Sequence, residues 1–227
     1  MPFAEYLLEW LDIVKVRVKA TTFSSYEAMI KSTIEPYFRK KGYTLQGLEA
    51  KHIQQFYSEK LRTVKPNSVI HYHAVIHQAL KYVMKTDLAP QNVAMKVDRP
   101  KNNDYQLVFL DADELKQIFD AIKGTRLELP VLVAAFYGLR RGEVCGLKWN
   151  AIDFERGTLT IKHTVTSVQM DGKTKMYAQN SASSMRTLPL VGSFAEYFKE
   201  VKVAQELNKQ VCGNCYNYEY NGLCLCR

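Results

Sequence analysis

Phe3, Tyr6, Leu7, Trp10, Leu11 and Val14 recur at three- and four-residue spacing, the signature of a helix that buries one face. Lys19-Ala-Thr-Thr interrupts that period. Thr21 or Thr22 is the expected cap of a second helix through Tyr26, Met29 and Ile30. Gly42 and its neighbours read as a turn. A third helix is expected over 48–61, with Ile53, Phe56 and Tyr57 on its apolar face. Val64-Lys-Pro-Asn-Ser reads as a loop and cap. A fourth helix, 68–84, carries Val69, Ile70, Val75, Ile76, Leu80 and Val83. Asp98-Arg-Pro-Lys-Asn-Asn-Asp then reads as a linker, because proline and asparagine cluster where the period is lost.

A second domain opens at Phe109-Leu-Asp-Ala-Asp-Glu-Leu. Asp111 is the expected N-cap, with Glu114 reaching back as in a capping box. That helix carries Leu115, Ile118, Phe119 and Ile122, and Gly124 lies just past its end. A long apolar helix is expected over 128–139. Strands are expected over 158–167, where β-branched residues alternate, and over 173–179 and 185–190. A helix over 194–208 follows, then a tail, 211–227, with no clear period. The pattern predicts a mainly α fold with a small β-sheet. Its domains are residues 1–101, all helical, and residues 102–227, of mixed α and β type.

Charge sharpens this picture. The chain of 227 residues has a net charge of +8. Residues 1–101 hold 16 Lys/Arg against 9 Asp/Glu, and the remainder holds 15 against 14. The excess sits in the helical half, which favours a polyanion such as nucleic acid over an ordinary solvated surface. No apolar run has the length of a membrane span, and the start has no secretory pattern, so a cytoplasmic location is the expectation. No glycine loop for phosphates or nucleophile elbow is present, and no cofactor is expected.

The strongest chemical signal is Tyr137-Gly-Leu-Arg-Arg-Gly-Glu-Val-Cys-Gly-Leu-Lys-Trp. An apolar run ends in glycine, two arginines and a glutamate. Guanidinium is permanently charged and forks onto phosphate oxygens. By itself this stretch is also compatible with two surface arginines at a helix–helix turn. Three further stretches decide the matter: Val18-Lys-Ala-Thr-Thr-Phe-Ser-Ser-Tyr, Lys65-Pro-Asn-Ser-Val-Ile-His-Tyr-His with Leu80-Lys-Tyr-Val, and Met185-Arg-Thr-Leu-Pro-Leu after Ser-Ser. In that order, with the arginine box between the second and third, they resemble the tyrosine recombinase (phage integrase) family over nearly the whole chain.

The resemblance implies an N-terminal four-helix core-binding (SAM-like) domain and the N-terminal part of an α+β catalytic domain. It implies site-specific recombination of double-stranded DNA in a bacterial or phage setting, with the protein nucleoid-associated. Arg140 would bind the scissile phosphate and Glu143 would buttress it by hydrogen bonding; these are the two implied catalytic-site residues. Arg141 has two readings, an ion pair or a backbone-phosphate contact. Lys65, Asn67, Ser68, His71, Lys81 and Lys85 on the fourth helix are candidate DNA contacts, with Lys19, Thr21 and Thr22 a second group.

The sequence also departs from the family, which links to DNA through a tyrosine and needs a second arginine in a His-x-x-Arg box. Histidines stand only at 52, 71, 73, 77 and 163, and none has arginine three residues on. Tyr197, Tyr216, Tyr218 and Tyr220 lack the expected context. The family's general-acid lysine falls on Asn180 when the hairpin is aligned backwards from Arg186; Lys173 or Lys175 fills the position only with a shifted register. The expectation is a truncated, catalytically incompetent chain. Full-length relatives form tetramers on DNA, and this chain is expected to be a monomer. The competing readings are a DNA-binding module without chemistry and a poorly folding remnant with an apolar face at Val131, Leu132 and Phe136. Cys212-x-x-Cys215 and Cys224-x-Cys226 invite a zinc site, but their tight spacing favours free cysteines in a partly ordered tail, and no metal is assigned.

Overall fold

The apolar periods of the first hundred residues close on one another in the computed structural model, which describes residues 1–101, 109–170, 173–180, 185–215, 222 and 224. The chain divides into two compact units, Met1–Leu107 and Val108–Arg227. The first contains α1 (Phe3–Lys15), α2 (Ala20–Met29), α3 (Glu35–Lys41), α4 (Ala50–Lys60) and α5 (Pro66–Lys85). Phe3, Leu7, Ile30, Ile34, Phe38, Ile53, Phe56, Tyr57 and Ile76 are sealed from solvent. Phe38 sits at the centre of the aromatic packing, 4.9 Å from Phe3 and 5.4 Å from Phe56. The N-terminus is tied to the turn after α3: Phe3 N–H donates to Tyr43 and Leu45 N–H donates to Met1.

Several helix boundaries differ from expectation for identifiable reasons. α2 begins at Ala20 behind Lys19, so Thr21 and Thr22 lie inside its first turn and neither caps it. α2 and α3 are joined by a π-helical turn, Ile30–Ile34, in which Glu35 N–H reaches Ile30 O. Pro36 has no N–H to give, and the wider turn carries the chain past that missing bond. α5 starts two residues before the expected position because Pro66 takes the first helical place, where its missing N–H costs nothing.

The second unit contains α6 (Ala112–Ile122), α7 (Glu128–Tyr137), α8 (Arg141–Cys145), strands β1 (Ile152–Asp153), β2 (Thr158–Ile161), β3 (His163–Met170), β4 (Lys173–Asn180) and β5 (Arg186–Pro189), and α9 (Gly192–Cys212). The expected capping box closes α6: Glu114 N–H donates to Asp111 at 2.8 Å and Asp111 N–H donates to Glu114 at 3.0 Å. β1, β2 and β5 form an antiparallel sheet in which Leu159 faces both Ile152 and Leu188. Leu159 and Ile161 on β2, Val133 on α7, Val144 on α8 and Phe198 and Val201 on α9 share one core.

The strand expected over 158–167 is two strands. β2 pairs with β5 up to Ile161–Arg186, and after Lys162 the chain changes partner, so that β3 pairs with β4 from His163–Asn180 to Met170–Lys173. α8 makes room for this second ribbon. A Cβ on Gly146 would stand 2.7 Å from the His163 carbonyl oxygen, and one on Gly142 would stand 3.1 Å from that of Val165. The tail also returns to the core: Cys224 is buried and its N–H donates to Leu147 O, while Gly222 O accepts from Trp149 N–H. Cys212 and Cys215 are exposed. Cys226, like the side chains of Lys173, Lys175 and Asn180, lies outside the described residues. Among the described residues no group of three His, Cys, Asp or Glu side chains is placed to hold a metal, and no helix is long and apolar enough to cross a membrane.

Candidate phosphate and nucleic-acid site

α7 stops at Tyr137, short of the expected 139, because Gly138 adopts a left-handed conformation (φ +60°). Leu139 then turns into the core, and Arg140 takes an extended backbone just before α8. Arg140 therefore opens the next helix rather than closing the apolar one. Its backbone N–H donates to Glu143 Oε2 at 2.9 Å, and its guanidinium donates to Glu143 Oε1 at 3.3 Å. The Arg140 side chain is 78% exposed, whereas that of Glu143 is 1% exposed.

A third group completes the cluster. Arg186, on β5 and 43 residues along the chain, forks onto both carboxylate oxygens of Glu143, at 3.0 Å to Oε1 and 2.9 Å to Oε2. Glu143 is consequently held down at a pKa of about 2. The Arg186 hydrogen bonds are the largest cause and outweigh the opposing effect of burial; the Arg140 N–H and the two arginine charges add to them. A carboxylate ionised at neutral pH thus anchors the base of an arginine whose side chain projects into solvent. Such a donor can meet charge on a phosphate oxygen without reorganising first. Arg141, the first residue of α8, is exposed and makes no ion pair among the described residues. The family resemblance of this stretch picks out Arg140 and Glu143. The fork from Arg186 is not visible in it, although Arg186 stands in the matched stretch Met185-Arg-Thr-Leu-Pro-Leu.

The candidate contacts of the first unit fall along α5. Asn67, His71, Ala74, Gln78, Lys81 and Lys85 alternate at four- and three-residue steps and are all exposed, so they form one face along the whole helix. The opposite face, with Val69, His73, Ile76, Ala79, Leu80 and Val83, is buried. At 1.5 Å per residue Lys65 and Lys85 are about 30 Å apart, so the candidates form a line rather than a cluster. Near the start, Asn67 and His71 approach at 3.4 Å and the Ser68 N–H is taken by Lys65 O. At the far end Arg17, from the connection after α1, lies over the Tyr82 ring at 5.1 Å. With Trp10, Lys81, Tyr82 and Lys85 it lines a groove of about 200 Å³. Lys19 is two residues from Arg17 and exposed, while Thr21 and Thr22 are half-buried. A further signal is the absence of any acidic residue between Glu59 and Asp87.

His73 belongs to the interior. Its Nδ1 meets the Tyr57 hydroxyl at 2.8 Å, and burial, with smaller contributions from the charges of Arg99 and His77, lowers its pKa to about 4. Burial raises that of Tyr57. A protonated phenol and a neutral imidazole therefore share this hydrogen bond in the interior.

Residues 2–61 match the phage integrase N-terminal SAM-like domain and residues 108–211 match the phage integrase family. The chain belongs to that family, the tyrosine recombinases. A tyrosine recombinase XerC-like protein of Caldanaerobacter subterraneus subsp. tengcongensis is 26% identical over 225 residues, covering 91% of this chain and 56% of that protein. Prophage integrase IntR of Escherichia coli K12 is 26% identical over 143 residues, covering 63% of this chain and 33% of its own. The fold is that of the Tn1549 transposon integrase seen in complex with circular intermediate DNA, with a TM-score of 0.69 and 15% identity over 88% of this chain and 64% of that one. Lambda integrase bound to DNA gives 0.58 and 20% identity over 86% and 62%. The chain spans about half the length of the XerC-like protein and about a third of that of IntR.

Proposed function

We propose that this chain binds duplex DNA as a site-specific recombination protein, with the helical unit tracking the phosphate backbone and Arg140 holding a phosphate at the strand to be exchanged. The observation that carries this reading is the Arg140 guanidinium, exposed to solvent and anchored through a buried, ionised Glu143. In strand exchange by this family the non-bridging phosphate oxygens gain charge as phosphorus becomes five-coordinate. A fixed guanidinium beside them lowers that barrier without moving. The acid-free face of α5, with Lys81, Lys85 and Arg17 at one end, supports the first part of the reading. The residues of that face suit sequence-independent backbone contact.

Residues 1–227 by themselves bind and do not cleave. They contain one arginine of the expected phosphate clamp but no His-x-x-Arg box and no tyrosine in the nucleophile context. In this form the chain occupies recombination sites without exchanging strands. A nicked suicide duplex tests both parts. A shifted, non-covalent complex is expected. A protein–DNA adduct that survives denaturation would overturn the non-catalytic part, and failure to shift the duplex at low salt would overturn the DNA reading.

A further inference from the structure

We infer that Arg186 is a positioning residue that keeps Arg140 available for phosphate. The inference rests on the reading of Arg140 as the phosphate ligand and assigns the reason its guanidinium faces outward. Glu143 is almost wholly buried and ionised, so its two oxygens need strong donors. Arg186 supplies a two-pronged fork at 3.0 and 2.9 Å, one terminal nitrogen to each oxygen. The Arg140 backbone N–H supplies a further bond at 2.9 Å. The Arg140 guanidinium adds only one contact, at 3.3 Å, and the Arg140 side chain stays 78% exposed.

The consequence follows from the geometry. Without Arg186, the buried carboxylate loses its main cationic partner, a strongly unfavourable state. Arg140 is the guanidinium already in contact with it. Rotating inward would give Arg140 the fork that Arg186 vacates and would withdraw it from the surface. Arg186 thus acts on phosphate binding through Glu143, by occupying the place Arg140 would otherwise take. The register of β2 and β5 sets this arrangement, since Arg186 lies opposite Ile161, the last residue of β2.

The test is a mutant cycle on the full chain, read by anisotropy of a fluorescein-labelled 30-base-pair duplex of random sequence over a KCl series. In the wild-type background Arg140→Ala should weaken binding by about 3- to 10-fold and lower the salt slope by about 1. In the Arg186→Met background the same substitution should change neither, because Arg140 is already turned in. In Arg186→Met/Glu143→Gln the effect of Arg140→Ala should return, since no carboxylate remains to capture it. A purely structural role for Arg186 would shift the melting temperature and leave the Arg140 effect intact. An undiminished Arg140→Ala effect in Arg186→Met therefore overturns the proposal. If Arg140→Ala is silent in the wild-type background, the phosphate reading itself falls and the proposal with it. Should Arg186→Met melt below the assay temperature, Arg186→Lys, which keeps the charge and loses the fork, replaces it. An intermediate Arg140 effect supports the proposal and a full one overturns it.

Discussion

Glu143 carries two opposite demands: it is sealed from solvent and it is charged. Its pKa in the folded chain, about 2, lies below the ordinary 4.5. A depressed carboxylate stabilises the fold fully above its unfolded pKa and loses that contribution as pH falls through the folded one. The second unit should therefore lose on the order of 3 kcal/mol between about pH 4.5 and 2. Near-UV circular dichroism during acid titration should show this loss, and Glu143→Gln should remove that part of the pH dependence. His73 works in the same sense at higher pH. Its folded pKa of about 4 lies below the ordinary 6.5, so the unfolded chain takes up the proton first. Urea midpoints should fall from pH 7 to pH 5, and His73→Asn should flatten that fall. Arg140 and Glu143 are legible through the resemblance of one continuous stretch, in which only Arg141 and Gly142 stand between them. Arg186 was legible only as part of a matched stretch, because its role depends on a strand register that brings residues 43 apart into contact.

Among the elements, α5 is legible in the sequence as a helix together with its buried face. The periodicity of its apolar residues fixes which side is buried, and hence which side Asn67, His71, Gln78, Lys81 and Lys85 share. The absence of acids between Glu59 and Asp87 was present in the sequence as a signal and marks this surface more sharply than any single lysine. The partner change at Lys162 was not legible, since β-branched alternation runs straight through it. The spacing Gly142-x-x-x-Gly146 has its reason only in β3, whose backbone passes against α8. Gly146→Ala places a methyl group 2.7 Å from a backbone oxygen that cannot yield cheaply. It should destabilise the second unit by about 1–3 kcal/mol, as read from urea unfolding. Gly192→Ala, where an added Cβ meets nothing within 4 Å, is the control and should be close to neutral.

For the molecule as a whole, charge and apolar surface are distributed unequally. The basic excess lies in the helical half of the sequence. The second unit exposes Phe109, Leu127 and Phe136, and along α9 a row of Val203, Leu207 and Val211 at four-residue steps. Phe136 is 64% exposed although it packs edge-on against Phe194. Apolar surface of this kind is expected to promote self-association of the purified chain at high concentration and high salt, which light scattering would detect. DNA binding should respond to salt in the opposite direction, weakening as salt rises. The most direct measurement is the affinity of the full chain for a labelled duplex between about 50 and 200 mM KCl, for the wild type and for Lys81→Glu/Lys85→Glu. The expected result is a steep inverse salt dependence in the wild type, with the double reversal flattening the slope by about 2 and weakening binding at least tenfold. Superimposable curves for the two proteins, or binding indifferent to salt, would contradict a DNA face on α5.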